Sequence, residues 1–170
     1  MEIEIVKDDK YWIDKLDRRF YAEQFIWELF PNKPEEAYID YFNEDFTELD
    51  LYNNNLSSIP ALAFGKLIGL NYLDLSNNNL TSIPALAFGN LTQLKVLYLS
   101  NNNLTSIPDS IGNLSGLKIL WLHNNKLSNI PDSIGNLSGL KELWLSNNNL
   151  SKQEQEIIQL ILLPNTEIIF

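Results

Sequence analysis

From Phe46 onward, large apolar residues follow a spacing that neither a single helix nor a single strand explains. Leu94, Leu97, Leu99 and Leu104 stand three, two and five positions apart, with Asn102 lodged before the last. The same string, apolar-x-x-Leu-x-Leu-x-x-Asn-x-Leu, runs over 46–56 (with Phe46 in the first slot), 70–80, 94–104, 117–127 and 140–150. Successive strings are offset by 24, 24, 23 and 23 residues. Within each string the paired leucines (Leu49 and Leu51, and their counterparts) alternate in twos, which predicts a short strand with both on one face. Ile-Pro follows in the first four units (Ile59-Pro60, Ile83-Pro84, Ile107-Pro108, Ile130-Pro131). There the Ile is a second inward anchor, and Pro occupies a place that needs no ladder donor. One unit cannot bury its own apolar face, so the units must stack and share a core.

This pattern resembles the leucine-rich repeat family over about residues 46–150, in five consecutive repeats. The resemblance implies an α/β solenoid: a curved parallel β-sheet with short helical or irregular segments on its convex side. It also implies that Asn54, Asn78, Asn102, Asn125 and Asn148 form a buried ladder whose amides satisfy backbone groups as the chain leaves each strand. The convex segments come in two kinds. Repeats with the longer offset carry Ala-Leu-Ala-Phe-Gly, with Phe64 and Phe88 as wedges; the shorter ones carry Asp-Ser-Ile-Gly-Asn-Leu around Ile111 and Ile134. In the second kind, Asp109-Ser110 and Asp132-Ser133 are expected to cap one helical turn and the Gly to end it.

The flanks divide the chain into residues 1–45, 46–150 and 151–170. Residues 2–6 alternate as a short strand would, and Trp12, Ile13, Leu16 and Phe20 fall at helical spacing. A second stripe, Ala22, Phe25, Ile26 and Leu29, lies on a rotated face, and Pro34 opens a further short helix. Of the 19 aromatic residues, 11 lie within residues 1–46, so this segment is expected to be a helical cap over the first repeat, with a docking surface as the alternative. At the other end Ser151-x-x-Glu154 forms a capping box before Ile157, Ile158, Leu160, Ile161 and Leu162, predicting a helix. Thr166–Phe170 is expected to add a last strand, making 151–170 a helix-plus-strand cap.

The residues flanking the inward leucines face outward on the concave sheet in three columns. Glu48, Tyr72, Val96, Ile119 and Glu142 precede the first leucine. Asp50, Asp74, Tyr98, Trp121 and Trp144 lie between the two, and Tyr52, Ser76, Ser100, His123 and Ser146 follow the second. With neighbouring strands about 4.8 Å apart, Tyr98, Trp121 and Trp144 form a contiguous aromatic ladder, with Val96 and Ile119 beside it. Large apolar groups facing solvent on a sheet match the composition of a binding hot spot; the plainer reading is that stacked rings stiffen the sheet. Glu48, Asp50 and Asp74 cluster on the first two strands, where mutual repulsion raises pKa values or invites a cation, and a landing site for Lys or Arg of a partner is the favoured role. Lys95, Lys118 and Lys141 start later strands and could rim the patch.

Composition narrows the function. The net charge is −10, and residues 1–50 alone hold 15 acidic and 6 basic side chains; such a chain repels phosphate backbones, so nucleic acid is not an expected partner. With no cysteine, thiolate chemistry and disulfides are excluded. Extracellular members of the family usually cap their ends with cysteine clusters, so the resemblance implies a reducing compartment. Residues 1–7 show no secretory leader and no stretch reaches the ~20 apolar residues of a membrane span, so a cytoplasmic location is expected, with no membrane partner. The seven Asn-Leu-Ser/Thr sequons fall out of the repeat itself. One histidine, His123, could meet Ser100 across adjacent strands, but Ser146 stands where a third, acidic partner is needed. No glycine-rich phosphate loop or metalloprotease motif is present. The expectation is therefore a non-enzymatic module without cofactor or metal that binds a partner protein on its concave face. A monomer is expected, with a homodimer through that face as the alternative. The repeat style resembles bacterial proteins, including effectors delivered into a host cytosol. The alternative function is a targeting adaptor whose N-terminal helices recruit a second component while the repeats hold a client.

Overall fold

The protein is described from a computed structural model, covering residues 47–61, 63–64, 67–162 and 166–170. The proposed N-terminal cap, its alternative as a docking surface, and Phe46 lie outside the described residues.

Six strands of three residues each form one parallel sheet in sequence order: β1 (Glu48–Asp50), β2 (Tyr72–Asp74), β3 (Val96–Tyr98), β4 (Ile119–Trp121), β5 (Glu142–Trp144) and β6 (Glu167–Ile169). The register is constant. Leu49, Leu73, Leu97, Leu120 and Leu143 lie opposite one another, and Ile168 of β6 continues the row. Pairing runs one residue past each strand: Leu75 N–H donates to Tyr98 O and Leu99 N–H to Trp121 O, both at 2.8 Å. The period-two alternation sends both leucines of each of the five repeats inward, where they are 4 % exposed or less. Truncating one of the fully buried ones, such as Leu97, leaves a cavity costing about 2–5 kcal/mol. Together these elements make the expected α/β solenoid: an open parallel sheet on one side, and turns and short helices on the other.

The convex side follows the two sequence styles. Repeats with Ala-Leu-Ala-Phe-Gly make turns, with Phe64 and Phe88 buried and stacked at 6.5 Å between centroids. Those with Asp-Ser-Ile-Gly-Asn form 3-10 helices, η1 (Asp109–Asn113) and η2 (Asp132–Asn136), which bury Ile111 and Ile134. The expected serine caps are not made: neither helix has a side-chain cap, and the Ser110 and Ser133 hydroxyls find no hydrogen-bond partner. The prolyl carbonyl opens each segment instead, accepting from the residue three positions on, Ile111 N–H to Pro108 O at 3.0 Å and Ala87 N–H to Pro84 O at 3.0 Å. Nor does glycine end the helices, since no described glycine has a positive φ. Gly112 is needed for space: a Cβ there would stand 2.6 Å from the Ser133 carbonyl oxygen where η1 packs on η2.

The asparagine ladder is present over four of its five expected rungs; Asn54, half-buried and donating to Tyr52 O at 3.1 Å, does not take up the arrangement. Asn102 accepts from Leu80 N–H and donates to Leu75 O and Leu99 O; Asn78, Asn125 and Asn148 repeat the arrangement one repeat away each time. After the fifth repeat, α1 (Lys152–Leu162) buries Ile158 and Leu162. Only half of its capping box forms. Ser151 Oγ accepts from Glu154 N–H at 3.1 Å, but the Glu154 carboxylate turns to Ile130 N–H at 3.0 Å, tying the helix to the repeat before it.

Candidate functional site

The outward positions of β1 to β5 converge on one side of the sheet, where strand register alone sets their order. Along the middle column, Asp50, Asp74, Tyr98, Trp121 and Trp144 stand in direct cross-strand register, and Glu48, Tyr72, Val96, Ile119 and Glu142 do so in the first. Tyr98 and Trp121 are stacked with centroids 4.2 Å apart and planes 23° from parallel. Trp121 and Trp144 follow at 5.0 Å. Tyr72 meets Tyr98 edge to face at 5.6 Å, so the aromatic run is one ring longer than the middle column alone predicts. His123 sits 5.9 Å from Trp121 and 5.7 Å from Trp144.

The columns are not uniformly open. Asp74, Ser76 and Ser100 were expected to face solvent, yet all three are buried, whereas Glu48, Asp50 and Tyr52 are exposed. Tyr72, Val96, Tyr98, Ile119, Trp121, His123, Glu142 and Trp144 are half-buried. Asp74 is held by Ser76, whose N–H and hydroxyl donate to Oδ1 at 2.8 and 2.6 Å, while the Tyr72 hydroxyl reaches Oδ2 at 3.3 Å. Asp50 uses its own Oδ1 to accept from Tyr52 N–H. The acidic and aromatic ends foreseen as separate therefore join at Tyr72, Asp74 and Tyr98.

Electrostatics follow from this placement. Burial, then the Asp74 and Asp50 carboxylates, push the Tyr72 phenol well above its ordinary range. Burial, then Asp74 and Glu142, also raise Tyr98. Burial holds His123 below its usual value, so the imidazole is neutral near pH 7. Its Nδ1 finds no hydrogen-bond partner, so the contact with Ser100 conceivable from sequence is not made through that atom. Lys95 and Lys118 do not lie over the rings. A Cβ at Gly116 would stand 2.8 Å from Lys95 Nζ, and one at Gly139 would meet Lys118 Nζ, placing both ammonium groups on the turn that leads into the next strand. Among the described residues no group of three His, Cys, Asp or Glu is arranged to hold a metal ion.

The family pattern "Leucine rich repeat" matches residues 46–104 and again 92–150, more than half of the chain. The chain belongs to the leucine-rich repeat family. Among solved structures it is similar to a leucine-rich repeat protein of Leptospira interrogans, with 33% sequence identity and a TM-score of 0.56 over 75% of this chain. It is also similar to a chain of the LRIM1/APL1C complex, with 30% identity and a TM-score of 0.59 over 62% of this chain. It spans 38% and 20% of the lengths of those two chains. No curated protein matches the sequence. Leucine-rich repeat proteins commonly serve as protein-interaction modules and are typically not enzymes.

This repeat protein carries a further feature, at the asparagine that precedes each rung. Asn53, Asn77, Asn101, Asn124 and Asn147, each just before a ladder asparagine, adopt left-handed backbone with φ of 54–56°. Three of them form a second ladder just past the ends of β3, β4 and β5: Asn124 Nδ2 donates to Asn101 Oδ1 at 2.8 Å and Asn147 Nδ2 to Asn124 Oδ1 at 2.7 Å. The signal was the Asn-Asn pair itself, since asparagine is the non-glycine residue that best tolerates this region.

Proposed function

We propose that the concave face of this leucine-rich repeat protein binds a partner protein, with Tyr98, Trp121 and Trp144 as anchors and Glu48, Asp50 and Asp74 setting orientation. One observation carries the reading: a continuous run of aromatic rings on the solvent side of a sheet whose core is already complete without them. Nothing in the leucine core requires a ring there, and binding energy in interfaces concentrates in such Trp and Tyr clusters. Stiffening of the sheet accounts for the rings less well. Trp121 Nε1 and His123 Nδ1 are both buried without hydrogen-bond partners, a cost of about 1–3 kcal/mol each that phenylalanine at the same places would avoid. The similarity to a chain that itself belongs to a two-protein complex points the same way.

The test is affinity capture from bacterial and eukaryotic lysates in parallel, using wild type beside a Trp121→Ala/Trp144→Ala variant with an unchanged far-UV spectrum. A protein held by wild type and lost by the variant supports the proposal. Identical captured sets refute it.

A further inference from the structure

The sheet is open on the outer side of β6. Among the described residues β6 stands last in the strand order and pairs only with β5. Glu167 N–H donates to Lys141 O, and Ile169 O accepts from Leu145 N–H, both across to β5. Backbone groups alternate in direction along a strand. The N–H and C=O of Ile168, the carbonyl of Thr166 and the N–H of Phe170 therefore point the other way. At the preceding strands the equivalent groups are used: Lys118 O accepts from Glu142 N–H at 3.1 Å, and Leu122 N–H donates to Trp144 O at 2.8 Å. The side chains are incomplete as well. Leu143 and Leu145 are 2 % exposed or less, whereas Ile168 and Phe170, the next in their rows, pack on the core yet stay half-buried. Such an edge is a template for one more strand.

A second copy of the chain fits this edge by symmetry. Set antiparallel about a two-fold axis at Ile168, two β6 strands place Ile168 opposite Ile168, Glu167 opposite Ile169 and Thr166 opposite Phe170. The two Ile168 residues then exchange both of their bonds, and each Phe170 N–H meets a Thr166 carbonyl. All four outward groups of each edge are satisfied. No carboxylate stands opposite a carboxylate, and Ile168 gains an apolar neighbour on the core side. The charge distribution allows the approach. Residues 51–170 hold 7 acidic and 6 basic side chains, so the acidic excess belongs to residues 1–50. The segment before β1 enters the sheet at its other end, five inter-strand gaps of about 4.8 Å from β6. We propose that β6 is a homodimer interface, in which two copies pair their β6 strands antiparallel and the sheet runs on from one chain into the other. The axis stands perpendicular to the sheet, so both concave faces look to the same side. This holds whatever the concave face binds.

Sedimentation equilibrium of the full chain at up to about 0.5 mM tests it, because a small interface is expected to hold in the micromolar range or more weakly. The average mass should rise with concentration from 19.6 kDa toward twice that value. Ile169→Lys gives each Glu167 an opposite charge across the axis and is expected to tighten the dimer at least twofold. Ile169→Glu sets carboxylate against carboxylate and should weaken it at least fivefold. Ile168→Pro removes a donor that the fold leaves unused, a change that edge strands tolerate, and should leave a monomer. Trp121→Ala/Trp144→Ala should associate as wild type does. A chain that stays monomeric throughout overturns the proposal, and so does an Ile169→Lys variant that associates no more tightly than Ile169→Glu. Loss of the dimer in the tryptophan variant but not in Ile169→Glu would place self-association on the concave face and overturns it too. If Ile168→Pro does not fold, the two Ile169 variants decide alone, since Ile169 lies outside the leucine core.

Discussion

Replacing Asn102 with alanine tests how the repeats are held together, because the structure states which groups lose a partner. The Asn102 side chain is 8 % exposed. Its Oδ1 accepts from Leu80 N–H at 3.0 Å, and its Nδ2 donates to Leu75 O at 3.0 Å and Leu99 O at 3.1 Å. The two carbonyls are shared with neighbouring rungs, since Leu75 O also accepts from Asn78 and Leu99 O from Asn125, each at 2.9 Å. The alanine variant therefore orphans Leu80 N–H, on a residue that is 0 % exposed, at about 1–3 kcal/mol, and weakens two carbonyls by up to about 1 kcal/mol each. The expected loss is about 2–4 kcal/mol. Asn148 makes the equivalent bonds at the last rung but is half-buried, so water can replace it and Asn148→Ala should cost about 1 kcal/mol. Urea unfolding followed by far-UV circular dichroism measures both. Losses equal within about 0.5 kcal/mol would show that burial does not set the strength of a rung.

Three further outcomes are expected. Gly112→Ala forces a Cβ to within 2.6 Å of the Ser133 carbonyl oxygen and should destabilise by about 1–3 kcal/mol, whereas at Gly89 the nearest atom is 3.6 Å away and alanine should be neutral or stabilise by up to about 1 kcal/mol; thermal melts of the two variants compare them. A double-mutant cycle of Tyr98→Ala and Trp121→Ala, read by urea unfolding, should return a coupling of about 0.5–1.5 kcal/mol for rings stacked at 4.2 Å, and a value near zero would mean that the stack does not hold itself together in solution. Burial lowers the His123 pKa, so below about pH 6.5 the unfolded chain takes up a proton that the folded chain does not. Stability then falls with pH until the folded pKa is passed. Wild type should accordingly lose stability relative to His123→Gln between pH 7.5 and 5, and a constant difference in urea midpoint would refute the burial argument.

The strand leucines, the Ile anchors, the Phe64–Phe88 pair and the asparagine rungs were legible in the sequence because a recurring offset ties each to an equivalent place, and stacking punishes any departure in every neighbour at once. The columns of the concave face were legible for the same reason: alternation in a strand decides which side a residue takes. What periodicity does not encode is how far a side chain leans. Tyr72 lies against Tyr98 and its hydroxyl reaches Asp74, to which the Ser76 hydroxyl also donates; all of these depend on rotamers. The serine caps failed for a related reason. Pro108 and Pro131 already stand at the helix start in extended conformation, and their carbonyls take the first donors. Gly112 has the composition of a helix terminator, but a packing contact in the next repeat decides its role, and local spacing does not report that contact.

The division of labour within each strand has a consequence for recognition. Leucines on one side complete the core, so residues on the other are constrained only by one another, and the rings use that freedom to pack against one another. Tyr98 is clamped between Tyr72 and Trp121, and Trp121 between Tyr98 and Trp144. A side chain so clamped has already lost its rotamer freedom before any partner arrives, which removes about 0.5–1.5 kcal/mol per side chain from the cost of association. Asp74, fixed by two bonds from Ser76, is pre-set in the same way. Glu48 and Asp50, exposed on the first strand, are less confined, so they suit long-range attraction of a basic segment better than its final seating. On the proposed reading, the face offers charge where an approaching chain first meets it and rigid rings where that chain comes to rest.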